Sequence, residues 1–177
     1  TISEYSYISD LLKSNDLKKN LLVFEVNSKK KIIIISVKND LKSSDIENLG
    51  AEFYGKVNYG KNSEYILNSD SVVGKNENFI GHFLHGFKLK SYEFKKYKTK
   101  KDTRVITLNI SGSKNKPSSQ NQLKFKALEE GTFYARDLVS EPGNVLHPDE
   151  YAKRLSRLKK FGLKVNIYDK KKLKKLG

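Results

Sequence analysis

The chain of 177 residues contains no cysteine, no tryptophan and no methionine, and it has only three prolines. Without cysteine it can form neither a disulfide nor a thiolate metal site, and it offers no cysteine nucleophile. No run of 18 apolar residues occurs, so no membrane-spanning segment and no membrane partner are expected. The first ten residues lack the basic and apolar pattern of a signal peptide, which makes a cytoplasmic location the expectation.

Arginine is scarce as well, since only four of the 35 basic residues are arginines although the formal net charge is +15. Lysine is a strongly hydrated point charge, whereas arginine makes the bidentate and stacking contacts that are favoured at recognition sites. Weak, salt-sensitive binding to polyanions is therefore favoured over a specific nucleic-acid site. The length suits one domain, with room for a short extension.

Three apolar segments have the composition of β-strands. Leu21 to Val26 and Ile32 to Val37 are rich in β-branched residues, which predicts an antiparallel hairpin whose second strand is buried on both faces. Val105 to Ile110 alternates apolar and polar residues and predicts a third strand. The polar stretch that follows, Ser111 to Asn121, predicts a flexible loop.

Two segments of the first half suggest helices. The first, Ser43 to Leu49, suits a helical turn capped by Ser43 or Ser44. The segment Phe53 to Leu67, which follows it, contains two glycines and suits a strand and a loop instead. The spacing of apolar residues between Asn76 and Phe94 predicts an amphipathic helix, interrupted by glycines at 81 and 86.

The second half predicts two helices, a strand and a last helix. Gln122 to Val139 is the strongest helix, with one apolar stripe made by Phe125, Leu128, Thr132, Ala135, Leu138 and Val139. Pro142 ends that helix, and Pro148 begins another that runs to about Phe161 and buries Tyr151, Leu155 and Leu158. Leu163 to Tyr168 alternates like a strand, and Asp169 can cap a final helix through Leu176. Strands interspersed with helices predict an α/β domain.

Histidine offers few candidates for catalysis or metal binding. His82 and His85 are three residues apart and could face one side of a helix, but no acid at a useful spacing is evident, so packing or surface roles are favoured over metal ligation. His147 precedes Pro148 at the N-cap position, where its ring could accept from helix N–H groups less well than Ser, Thr, Asp or Asn.

Lysines alternate with aromatic residues between Lys88 and Lys101. Tyr92, Phe94 and Tyr97 could stack on bases of a single strand while the lysines pair with phosphates. The favoured alternative is a helix end with buried aromatic rings and solvated lysines. The lysines of Lys170 to Lys175 complement the C-terminal dipole of a helix.

No established catalytic motif emerges from the rest of the sequence. A phosphate loop, a GxSxG elbow and an HExxH motif are all absent, and Ser111-Gly112-Ser113 is too short to count. Glu129-Glu130 and Asp149-Glu150 are expected on helix surfaces or at a helix start. No active site can be assembled from the sequence, so no catalytic, cofactor-binding or metal-binding residue is predicted.

Three segments carry a resemblance to a known family. Ala135 to Pro148, ARDLVSEPGNVLHP, resembles the segment of the cytosol (leucyl) aminopeptidases that closes the N-terminal domain and leads to the catalytic one. Ser140 stands where the family usually has Asn, and His147 where Thr usually caps the next helix. Ser91 to Lys101 and Gly162 to Gly177 agree with the family pattern, whereas the match over Thr1 to Phe79 is faint.

The resemblance implies a macro-like α/β domain with a mixed sheet flanked by helices (residues 1–121), connecting helices (122–161) and the first strand-helix unit of an absent catalytic domain (162–177). That domain would bind two divalent cations, usually zinc, manganese or magnesium, which would activate water for hydrolysis of an N-terminal residue. No metal or catalytic residue of the family maps onto Thr1 to Gly177. The chain is therefore expected to be inactive alone.

The same resemblance implies the partners of the chain. Its own catalytic domain would be one, and a homo-hexamer would be the assembled state, with the chain shaping access to the catalytic cavity. Some bacterial members of the family also bind DNA, so a basic DNA-binding module is the alternative function. Fold analogy to macro domains alone gives little support for binding an ADP-ribose-type nucleotide.

Overall fold

A computed structural model describes residues 6–13, 21–27, 31–38, 40–60, 63–72, 78–99 and 104–177. The helices are α1 (Ser6–Lys13), α2 (Ser43–Val57), α3 (Phe79–Lys90), α4 (Ser119–Ser140), α5 (Pro148–Ser156) and α6 (Lys170–Leu176). The strands are β1 (Leu21–Glu25), β2 (Lys31–Ile35), β3 (Glu64–Asn68) and β4 (Thr107–Ser111). Short 3₁₀ turns cover Ser69–Ser71 and Arg157–Phe161.

The strands form two separate pairs within the described residues. β1 and β2 are antiparallel, with Leu21 opposite Ile35, which confirms the predicted hairpin. β3 and β4 are parallel, with Glu64 opposite Thr107. The predicted α/β class is confirmed, but a single mixed sheet of the macro type stays a prediction. β2 is half-buried rather than buried on both faces, and of its residues Ile33 and Ile35 pack against the core.

The core lies between α2 and α3, and the strands pack against these two helices. Its buried side chains are Ile46, Leu49, Phe53 and Val57 from α2 and Phe79, Ile80, Phe83 and Phe87 from α3. Partly buried residues of both strand pairs complete it, including Ile33, Tyr65, Leu67, Leu108 and Ile110. Aromatic rings fill much of the space. The centre of the Phe53 ring lies 5.7 Å from the centre of the Phe83 ring and 6.0 Å from that of Phe87.

Glycine allows α2 and α3 to approach closely. A Cβ at Gly50 would overlap the carbonyl of Phe83, and one at Gly86 would overlap the carbonyl of Glu47. Neither Gly81 nor Gly86 interrupts α3, contrary to the prediction. Close helix contact compensates for the poor helix propensity of glycine.

α2 is a full helix of 15 residues rather than one turn, so the prediction of strand and loop from Phe53 was wrong at its start. Burial of one face along its whole length outweighs the cost of Gly55. Neither serine caps it, because Lys42 is the N-cap residue and its main-chain N–H donates to the Asp45 carboxylate at 3.3 Å.

The last third of the described chain is much more exposed than the core. On α4 only Phe125 of the predicted stripe is buried, and Val139 is 87% exposed. Tyr151 is exposed, and Leu155 and Leu158 are only half-buried. Residues 163–168 form no strand with any described residue, so the predicted strand was wrong, whereas Asp169 caps α6 as expected, accepting from the N–H of Lys172 at 2.8 Å.

Candidate functional site

The joint between α4 and α5 contains the segment that stood out in the sequence. α4 ends at Ser140, and the N–H groups of Val145 and Leu146 both donate to the carbonyl of Pro142 at 2.9 Å. Pro148 occupies the first turn of α5 as predicted. His147 is the N-cap residue, and its side chain makes no capping hydrogen bond. The joint is therefore a turn held by main-chain hydrogen bonds.

Glu141 is the electrostatic centre of this joint. Its side chain is only 2% exposed and accepts from the Lys96 ammonium at 2.5 Å and from the Arg154 guanidinium at 3.0 Å. The Tyr97 hydroxyl also donates to its second oxygen. Arg154 continues the network to Glu150 at 3.1 Å. One carboxylate thus ties the segment after α3 to both helices of the joint.

Hydrogen bonds from Lys96, Tyr97 and Arg154 stabilise the charged form of Glu141. Together they lower the pKa of its carboxyl from 4.5 to about 2, against an opposing effect of burial. The same contacts raise the pKa of Lys96 and of the Tyr97 hydroxyl. The carboxylate is therefore charged at every pH at which the fold is expected to operate. Its role is to bind the cationic side chains of Lys96 and Arg154.

Arg136 and Tyr92 make further contacts that fasten α4 to the end of α3. Arg136 donates to the carbonyl of Leu89 at 2.7 Å, and its guanidinium lies 5.4 Å from the centre of the Tyr92 ring. The Tyr92 hydroxyl donates to Asp137 at 2.7 Å, and its ring packs 5.2 Å from that of Phe133. The ring of Tyr92 is therefore engaged by the protein itself.

The two histidines of α3 contact carboxylates from two other helices. His82 Nδ1 lies 2.8 Å from Glu47 Oε1, and His85 Nδ1 lies 3.1 Å from Glu129 Oε1. The ring of Phe125 packs about 5 Å from both imidazoles. Acids are thus present, contrary to the prediction from local spacing, because they come from α2 and α4. The His82 pair joins α3 to α2 and the His85 pair joins α3 to α4, which agrees with the packing role favoured over metal ligation.

A cavity of about 890 Å³ lies between the segment after α3, α4, α5 and the turn that follows α5. Its lining is largely apolar and includes Phe94, Tyr134, Leu138, Leu158 and Phe161. The hydroxyl of Tyr134 is buried and has no hydrogen-bond partner among the described residues. The ion pairs of Glu141 lie at the same cavity, so the joint and the cavity form one site.

The aromatic rings of the predicted nucleic-acid stretch are largely engaged by the protein. Phe94 packs 5.8 Å from Tyr97, whose hydroxyl is bound to Glu141. The favoured alternative of buried rings and solvated lysines therefore holds only in part, since Tyr92 and Phe94 are half-buried, Tyr97 is exposed and Lys96 is paired with Glu141. Residues of the stretch from Lys100 onward lie outside the described part. No group of three or more potential metal ligands occurs among the described residues, and none of their helices is long and apolar enough to cross a membrane.

Sequence reasoning missed Glu141 and the carboxylate partners of the histidines. Glu141 stands directly before Pro142 at a helix end, and its partners are 13 to 45 residues away in the chain. Glu129 was expected on a helix surface, so its contact with His85 was not predicted either. Local spacing carries no signal for such contacts, because they depend on how α3, α4 and α5 pack. The absence of catalytic residues stays a prediction.

No protein-family model matches the chain. Its curated relatives include the probable cytosol aminopeptidase of Nitrobacter winogradskyi, which is 32% identical over 147 residues that cover 77% of this chain and 28% of the relative. The probable cytosol aminopeptidase of Methylorubrum populi is 33% identical over 149 residues, covering 82% of this chain and 30% of the relative. The chain thus spans less than a third of the length of these relatives.

Two solved structures share the fold at low sequence identity. A mutant of tomato leucine aminopeptidase matches with a TM-score of 0.74 and 17% identity, covering 98% of this chain and 37% of that one. The bottromycin maturation enzyme BotP, also solved in complex with Mn, matches with a TM-score of 0.67 and 17% identity, covering 96% of this chain and 38% of that one. Sequence identity of about 30% over most of the chain, together with the shared fold, shows that the chain belongs to the cytosol aminopeptidase family and corresponds to its N-terminal domain.

Proposed function

We propose that the chain is the non-catalytic N-terminal part of a metal-dependent leucyl aminopeptidase. In this proposal a separate catalytic region binds two divalent cations, manganese or zinc, and hydrolyses N-terminal residues from peptides. The observation that carries it is the likeness to probable cytosol aminopeptidases over about four fifths of the chain but less than a third of their length. The chain then supplies a scaffold, and the chemistry belongs to the remainder.

The joint at Glu141 supports a scaffold role. Its carboxylate brings three donors from two other segments together, so α4 and α5 meet at a defined angle. The cavity beside it and the exposed apolar side chains of α4, such as Val139, are surfaces that a neighbouring polypeptide can cover. We assign these surfaces to contacts with the catalytic region and with other subunits of a hexamer, which would place the chain beside the entrance to the catalytic cavity.

Two assays of leucine amide hydrolysis with added Mn²⁺ test this proposal. The 177-residue chain is expected to give no turnover, and the gene product that includes a catalytic region is expected to turn over only with metal. EDTA should abolish that activity, and Mn²⁺ should restore it. Clear turnover by the 177-residue chain, or a gene product without activity under any metal, would contradict the proposal. Size-exclusion chromatography with light scattering tests the expected hexamer.

DNA binding by a basic module is the second candidate function, and one observation favours it. Residues 157–177 carry nine basic side chains and one acid, so the positive charge is concentrated on one segment. Gel shifts at rising salt test this function, using duplexes of unrelated sequence. Retardation at low salt with a steep salt dependence but no sequence preference would indicate charge alone. No retardation at low salt would exclude this function.

A further inference from the structure

The loops that follow β3 and β4 meet at one end of the parallel strand pair. Because the strands are parallel, with Asn68 opposite Ser111, both loops leave from the carboxyl ends of their strands. The first loop is the 3₁₀ turn over Ser69–Ser71, and the second runs through residues 112–115. Ligands of open α/β sheets commonly bind outside this end of the strands. The contacts between the two loops therefore bear on whether a ligand can bind here.

Two consecutive main-chain N–H groups of the second loop converge on one carboxylate oxygen of the first. The N–H of Lys114 donates to Asp70 Oδ1 at 2.7 Å, and that of Ser113 donates to the same atom at 2.9 Å. Successive N–H groups that point at one position form a concave site for an anion. These hydrogen bonds lower the pKa of the Asp70 carboxyl, and the charges of Lys114 and Lys116 lower it further. The second loop thus holds an anion that belongs to the chain itself.

The backbone of the second loop lets this carboxylate approach closely. Gly112 has a φ of 95°, a conformation that favours glycine. A Cβ at this position would lie 2.8 Å from the Asp70 carboxyl group and 2.6 Å from Ser69 Oγ. A side chain at residue 112 would therefore be strained and would also displace the bound carboxylate.

Other hydrogen bonds hold the second loop in place without the Asp70 carboxylate. The Asn115 side-chain amide donates to the carbonyls of Ser69 and Val72, each at 3.2 Å. The hydroxyl of Ser69, which is fully buried, donates to the carbonyl of Ser111 at 2.8 Å. Asp70 itself is exposed, so its side chain can leave the loop without opening the core. The converging N–H groups should therefore keep their positions when the carboxylate is absent.

We infer that residues 112–115 form a binding site for a small oxyanion, such as inorganic phosphate, which the chain closes with its own Asp70 carboxylate. The carboxylate competes from within the same molecule, so its effective concentration at the site is on the order of millimolar or higher. Lys114 and Lys116 place positive charge near the site, which attracts an anion once the carboxylate is removed. The contact is therefore autoinhibitory, and the inference does not depend on the proposed function.

Phosphate titrations of the 177-residue chain test the inference through the amide NMR signals of Ser113 and Lys114. In Asp70→Ala both signals are expected to shift and saturate at phosphate concentrations at least about tenfold lower than in the wild type, because the competing carboxylate is gone. Asp70→Asn keeps an acceptor oxygen in place and should remain closed. Adding Asn115→Ala to Asp70→Ala removes two hydrogen bonds that hold the loop, so phosphate affinity should fall about tenfold.

The matched control is Glu130→Ala, which removes the same charge from an exposed position on α4 and should leave the site closed. Chloride at the same ionic strength should shift neither amide signal in any variant. Equal phosphate responses in the wild type and in Asp70→Ala would mean diffuse attraction to lysines and would overturn the inference.

The side-chain amide signals of Asn115 report whether the loop survives in Asp70→Ala. If they keep their wild-type positions and phosphate still has no effect, no anion site exists there. If they move and phosphate does not restore them, the carboxylate builds the loop rather than closes a site within it. Either result overturns the inference, whereas restoration by phosphate supports it.

Discussion

At the scale of single residues, the close contact between α2 and α3 requires that residue 86 be a glycine, which has no Cβ. Gly86→Ala is expected to destabilise the protein by about 1–3 kcal/mol, because the new methyl group overlaps the carbonyl of Glu47 in a packed interior. The matched control is Gly55→Ala in α2, where nothing lies within 4 Å; it should stabilise by ~0.5–1 kcal/mol through helix propensity. Urea unfolding measures both, and equal effects would contradict the close approach.

The second prediction at this scale concerns the carboxylate of Glu141. Its pKa is about 2 in the folded protein against 4.5 when unfolded, so its charge stabilises the fold above pH 4.5 and this contribution is lost as the pH falls towards 2. Glu141→Gln should therefore lower the free energy of unfolding at pH 5 to 8, and its difference from the wild type should shrink progressively below pH 4.5.

Glu130→Gln is the matched control for Glu141, since Glu130 is exposed and its carboxylate lies 3.9 Å from the Lys126 ammonium, its one ion-pair partner among the described residues. It should change stability little at any pH. Urea unfolding of both variants and the wild type at several pH values makes the comparison. A Glu141→Gln effect that is the same at pH 3 as at pH 7 would show that the carboxylate charge is not what stabilises the joint.

At the scale of elements, Phe125 is the buried side chain of α4, and it packs against α3 beside the polar contacts already described. Phe125 lies between two imidazoles and against Gly81, whose Cβ would be 2.6 Å from the ring. Phe125→Ala should cost about 3–5 kcal/mol, whereas Val139→Ala on the same helix should stay within about 0.5 kcal/mol because Val139 is exposed. Calorimetry and chemical unfolding test this pair; similar losses for both would mean that α4 packs differently.

The elements also show what local sequence can and cannot predict. The hairpin, the helices before and after Pro142 and the Asp169 cap follow from periodicity and turn chemistry, which are local. The full length of α2 was missed because tertiary burial outweighed Gly55. The strand at residues 163–168 was wrong because a strand requires a neighbour, and alternation alone cannot supply one. The ion pairs of Glu141 and of the histidines depend on helix packing, so their partners could not be read from spacing.

At the scale of the whole molecule, the net charge of +15 opposes compaction. Screening shortens the range of this repulsion, while the partly buried pairs at Glu141 are screened less. Raising NaCl from about 20 to about 200 mM should therefore raise the melting temperature by about 2–4 °C, equivalent to ~1 kcal/mol for a chain of this size. KCl at the same ionic strength should give the same shift, because screening does not depend on the identity of the cation. A melting temperature that falls with salt would mean that the attractive ion pairs outweigh the repulsion, and the excess lysines would then be compensated within the chain rather than left for a partner.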